Sequence, residues 1–119
     1  MCAVVVVAAC GGRPVAESHT VNPFSRDRES AAQGERTFSA MNCDGCHGGG
    51  AVGWVGPSLR DGRWRYGGSD GEIFQSIAAG RPRGMPAYGS MLPPAAIWKL
   101  VTYLQSLEPP PDVPTESWK

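Results

Sequence analysis

Five consecutive residues carry most of the chemistry in this chain. Cys43-Asp44-Gly45-Cys46-His47 is a CxxCH run, the pattern of c-type haem attachment. Two thiols at this spacing can add across the two vinyl groups of one porphyrin, and the histidine that follows is carried to the iron as an axial ligand. Two other uses of such residues lack what they need. A zinc ribbon requires a second Cys/His pair at ligand spacing, and the remaining candidates, Cys2, Cys10 and His19, all lie in the N-terminal segment. A dithiol redox pair requires a βαβ setting, and no segment alternates as a strand does.

The second axial ligand is sought among the methionines. Met85 sits in Arg83-Gly84-Met85-Pro86-Ala87-Tyr88-Gly89, a stretch punctuated by Gly and Pro and outside any helical stripe. Its thioether is soft and neutral, and a Met/His pair raises the reduction potential. Met41 falls on a helical face and reads as core, whereas Met91 is the competitor for the role. The expected metal ligands are therefore His47 and Met85.

Three helices must position these groups. The first is predicted over 30–41, with Ser30 and Gln33 as a capping box and Ala31, Gly34, Phe38 and Met41 on one face. The second is predicted over 70–79, with Ser69 and Glu72 as a second box, Ile73 and Ile77 facing inward and Gly80 ending it. The third is predicted over 94–107, with Pro94 at its first position and Ile97, Leu100, Val101 and Leu104 as its stripe, widened by Tyr103 and Leu107. Between the first two helices lie about 25 residues rich in Gly, Trp and Arg, too many for a structureless loop in a compact domain. That loop must wrap something.

Whole-chain properties narrow the class. At 119 residues the chain holds one domain with tails. Eleven basic and eleven acidic side chains cancel, which excludes a basic face that tracks nucleic-acid phosphates. No run of about 18 apolar residues is present to span a bilayer as a helix. Residues 1–10 form a short apolar run ending in Val7-Ala8-Ala9-Cys10, similar to a signal segment with a lipoprotein box, although it lacks a basic leader. Export to the periplasm is expected, with membrane attachment through a lipidated Cys10. Residues 11–26 read as a linker, 27–107 as the folded, monomeric domain, and 108–119, with four prolines, as an extended tail.

Taken in order, Gly34, Phe38, Cys43 to Gly48, Gly56-Pro57-Ser58-Leu59, Gly80 through Gly84-Met85-Pro86, and Tyr103 to Leu107 resemble the small bacterial class I cytochromes c. The similarity covers roughly residues 30–107, and its second half looks most like the single-haem domains that accompany quinoprotein dehydrogenases or form subunits of cbb-type oxidases. The resemblance implies an all-α fold with three main helices and long loops wrapped around one covalent haem c. It implies that the first and last helices cross where Gly34 and Phe38 meet Leu100 and Tyr103, Gly34 allowing a close approach. It also implies that the Pro57 carbonyl accepts the Nδ1–H of His47 and so fixes the ring. The stretch Arg63-Trp64-Arg65-Tyr66 falls where the family holds a haem propionate. All four are donors, with Trp64 and Tyr66 taken as the cofactor contacts.

The expected function is periplasmic one-electron transfer between a dehydrogenase or respiratory complex and an oxidase or cytochrome acceptor, without enzymatic activity. With both axial positions filled by protein, no position stays open for substrate. The alternatives are a fixed subunit of a larger oxidoreductase and, in a different class, a haem enzyme or gas sensor whose methionine detaches. Docking is expected to use an apolar patch over residues 48–55, because five arginines between Arg60 and Arg83 are largely offset by Asp61, Asp70 and Glu72.

Overall fold

The computed structural model describes residues 21–109. The apolar N-terminal run with Cys10, most of the linker with His19, and the tail beyond residue 109 lie outside the described residues. Four helices follow one another along the chain: α1 (Arg28–Ala40), α2 (Asp44–His47), α3 (Asp70–Ala79) and α4 (Pro94–Ser106). Short 3-10 turns at Gly49–Ala51 and Tyr88–Ser90 join them. Among the described residues the only β pairing is an isolated bridge between Arg81 and Met85.

The start of α1 differs in detail from the expected capping box. Asp27 is the N-cap, and its carboxylate accepts the Ser30 backbone N–H as well as the Ser30 hydroxyl. An aspartate satisfies orphan N–H groups as well as a serine does and adds negative charge at the positive end of the helix. These hydrogen bonds hold the Asp27 carboxyl below the usual carboxylate range. Ser69 caps α3 as expected, accepting the Glu72 N–H at 3.3 Å while its hydroxyl donates to the Glu72 carboxylate at 2.6 Å. Pro94 opens α4 at N1, where its missing N–H costs nothing.

α1 and α4 cross at Gly34. A Cβ there would run into the Lys99 carbonyl and come within 2.9 Å of the Tyr103 Cβ. One turn on, the Phe38 ring meets the edge of Tyr103, centroids 5.5 Å apart and planes at 65°. α3 packs across α4 through Phe74 and Trp98, whose rings lie 4.3 Å apart. The largest fully buried side chains are Ile97, Leu100 and Val101, all on α4. The segment before α1, expected to be linker, touches this core: Asn22 is buried, and its amide donates to the Thr102 hydroxyl at 2.9 Å and to the Trp98 carbonyl at 3.3 Å. The Thr102 hydroxyl donates in turn to the Phe24 carbonyl at 3.0 Å.

Candidate cofactor site

The end of α1 sets where the first thiol sits. Asn42 takes a left-handed conformation, φ 59°, one of the few non-glycine residues that does so readily. Its N–H donates to the Ser39 carbonyl and that of Cys43 to the Phe38 carbonyl, a Schellman closure. The chain then re-enters a helix at once. One turn, α2, places Cys43, Cys46 and His47 at i, i+3 and i+4, the spacing that brings side chains to one side of a helix. The His47 N–H donates to the Cys43 carbonyl at 2.9 Å. Gly48, at φ 80°, ends the turn.

The loop that follows folds back over His47. Gly53 donates to the His47 carbonyl at 2.6 Å, Gly56 to the Cys46 carbonyl at 2.7 Å and Leu59 to the Ala51 carbonyl at 2.9 Å. Gly56 lies against the imidazole, where a Cβ would come within 2.9 Å of Cε1 and Nδ1. His47 Nδ1 is 2.8 Å from the Pro57 carbonyl oxygen. A carbonyl can only accept, so Nδ1 carries the proton and Nε2 keeps its lone pair for a metal.

Half-buried side chains from several segments form an apolar wall on the core. Leu59, Trp64, Met85, Tyr88 and Leu92 are only half-buried, yet all pack against the core together with Cys43. Burial pushes the Cys43 thiol up, as does the neighbouring Asp44 carboxylate. The Tyr88 hydroxyl donates to the Met41 carbonyl at 3.5 Å, which brings the loop after Met85 to the end of α1 just before Cys43, and burial pushes the Tyr88 hydroxyl up. Met91 is 54% exposed and does not join this wall. These residues fit a c-type haem: two thiols and an imidazole on one turn, an imidazole nitrogen freed for iron, a soft thioether, and a half-exposed apolar wall to receive a flat macrocycle.

The expected propionate donors divide. Trp64 packs against the core and closely against Gly68, where a Cβ would strike its ring. Tyr66 is 42% exposed and its ring lies under the Arg81 guanidinium at 4.0 Å. Arg81, from sequence only one of five arginines between Arg60 and Arg83, is a built-in contact, and Tyr88 and Asn22 were not singled out at all. The aromatic three residues after Met85 was the available signal for Tyr88. The expected apolar patch is there in altered form. Val52, Trp54 and Val55 are 53%, 81% and 80% exposed, whereas Ala51 is fully buried at φ 62° and contributes nothing to it.

Comparison with known proteins gives a consistent result. The family described as cytochrome c oxidase, cbb3-type, subunit III matches residues 29–104. The FixP subunit of cbb3-type cytochrome c oxidase from Sinorhizobium medicae is 39% identical over 84 residues, which is 62% of this chain and 29% of that protein. The chain thus spans less than a third of the length of that relative. Among solved structures, cytochrome cL from Methylophaga aminisulfidivorans superimposes with a TM-score of 0.68 at 27% identity, covering 87% of this chain and 72% of that one. Cytochrome cL from Hyphomicrobium denitrificans gives 0.69 at 29% identity, covering 74% and 53%. The fold is therefore the class I cytochrome c fold that the motif order implied.

Proposed function

This chain belongs to the cbb3-type cytochrome c oxidase subunit III family, and from that premise we propose that it is a one-electron carrier holding a single haem c outside the cytoplasm. Cys43 and Cys46 would hold the haem through thioether links, and His47 Nε2 and Met85 Sδ would ligate its iron. Bound by these residues, the group would supply reversible one-electron chemistry. The Pro57 carbonyl fixes the imidazole tautomer, and the glycine-lined loop 48–56 holds the ring at close quarters. Leu59, Trp64, Tyr88 and Leu92 would exclude water from one side of it, and Trp64 and Tyr66 are the donors we assign to its propionates. The protein is a carrier rather than an enzyme. The observation that carries this reading is the 2.8 Å contact between His47 Nδ1 and the Pro57 carbonyl within a CxxCH turn.

The electron donor is a dehydrogenase or respiratory complex and the acceptor an oxidase or a further cytochrome. The oxidase-subunit names of the FixP relatives support a second reading in which the chain works as a fixed subunit. Copurification from the native membrane separates the two readings: a stoichiometric complex surviving detergent supports the subunit, and recovery as a free monomer the carrier. Ligation is tested on the ferric holoprotein, whose weak near-infrared sulfur-to-iron band should vanish in Met85→Ala and persist in Met91→Ala, with a lower potential only in the former. The reverse pattern assigns the iron to Met91. Prompt carbon monoxide binding by the unmodified ferrous protein would instead point to an enzyme or gas sensor.

A further inference from the structure

The turn that carries Met85 is closed twice, once by backbone and once by a side chain. The Arg81 N–H donates to the Met85 carbonyl at 3.0 Å, with Gly80 just before this closure and Gly84 inside it at φ values of 72° and 105°. A Cβ on Gly80 would sit 2.6 Å from the Met85 carbonyl oxygen, so the stem of the turn tolerates only glycine there. The Arg81 side chain then runs back to α3. Its Nε and Nη2 donate to the Ser76 hydroxyl at 3.1 and 2.8 Å, and that hydroxyl donates to the Glu72 carbonyl at 3.2 Å. The guanidinium carbon also lies 4.0 Å over the Tyr66 ring. Three segments that share no regular element, α3, the 63–67 loop and the Met85 turn, thus converge on one half-buried guanidinium.

We infer that Arg81 is the positioning residue that keeps the Met85 turn shut and so keeps the thioether on the iron, an inference that rests on Met85 being the ligand. A thioether is neutral and weakly basic, so the closed turn rather than the bond itself must hold it in place. An external ligand competes only when the turn opens, and its apparent affinity scales with the fraction open. Removing the contacts that fix the stem of the turn raises that fraction. Arginine suits the task because its plane stacks on an aromatic face while its fork reaches a hydroxyl. Lysine could keep charge over Tyr66 but cannot place two N–H groups on Ser76.

The test is imidazole titration of the ferric holoprotein, followed by loss of the sulfur-to-iron band. Arg81→Ala should keep that band in the absence of imidazole, yet bind imidazole about tenfold more tightly, which corresponds to roughly 1.4 kcal/mol. Arg81→Lys should fall between Arg81→Ala and the parent, and Tyr66→Leu should rise severalfold. Asn22→Ala, which loosens the far side of α4, should bind imidazole as the parent does. Parent-like affinity in Arg81→Ala, or an equal rise in Asn22→Ala, overturns the inference. Should Arg81→Ala yield no holoprotein, Tyr66→Leu decides, and parent-like affinity there overturns it. Absence of the band from the parent protein would instead mean that Met85 is not the ligand, a failure distinguishable from that of Arg81.

Discussion

At the scale of single residues, the site depends on contacts that leave no room for a methyl group. Gly56 presses on the His47 ring, whose Nδ1 is held by the Pro57 carbonyl, so the imidazole cannot turn aside without giving up that hydrogen bond. Gly56→Ala should therefore destabilise the holoprotein by about 1–3 kcal/mol, the usual cost of overpacking, and shift the His47 ring resonances in NMR spectra. Gly49→Ala, with open space around it, is the matched control and should leave both unchanged. The CxxCH turn and its hydrogen bond to Pro57 were legible in the sequence because the cysteines, His47 and Pro57 fall in a short run with a recognisable order. Arg81 was not, because nothing near it in sequence announces a ring fifteen residues earlier or a hydroxyl one turn back. Met85 stood out as a methionine outside a stripe; it is half-buried against the core, whereas Met91 is 54% exposed.

At the scale of elements, two helix contacts decide how firmly the site is framed. Helix propensity alone predicts that Gly34→Ala gains about 1 kcal/mol. The obstacle to a new Cβ, however, is the Lys99 carbonyl, part of the α4 backbone, which cannot move aside as a flexible side chain does. The overpacking cost should win, for a net loss of about 1–2 kcal/mol in denaturant unfolding of the holoprotein. Asp27 makes a prediction about pH. Its folded-state pKa lies below its unfolded value because its carboxylate accepts from Ser30. Its contribution is therefore complete above the unfolded pKa and is lost as pH falls through the folded one. Asp27→Ala should melt at a lower temperature than the parent at neutral pH, and the gap should narrow below about pH 4. The helix over 70–79 and the one expected over 94–107, which ends at Ser106 with Leu107 as its C-cap, could be placed from local caps and a 3.6-residue period. The true start of α1 was less accessible, since Asp27 and Ser30 both make plausible caps and only the fold chooses between them. Phe74 and Trp98 likewise extend stripes that looked narrower, because the α3 packing that buries them is a long-range event.

At the scale of the whole molecule, charge does little and apolar surface does more. Acidic and basic side chains balance across the chain, and Arg81 is engaged with Tyr66 and Ser76. Arg60 is engaged as well, its Nε and Nη2 donating to the Glu108 carbonyl at 3.0 and 2.9 Å. The exposed Val52, Trp54 and Val55 follow directly on the His47 turn. Electron transfer with the native partner should thus slow by less than about tenfold from low to moderate salt, well inside the range seen for steered pairs. Stopped-flow rates across an ionic-strength series check this, and a hundredfold fall would assign docking to charge.

The loop that holds His47 also sets an order of events during folding. The bond from its ring to Pro57 closes only 10 residues of chain, whereas the hydrogen bond from Asn22 to Thr102 closes 80. Closing the longer span costs roughly 1.8 kcal/mol more in chain entropy, and closures of about ten residues take tens of nanoseconds. The imidazole can therefore adopt its metal-binding tautomer on a nascent chain whose terminal segments have not yet met. Under the proposed function, cofactor attachment needs only this short closure and can precede the docking of the first helix on the last.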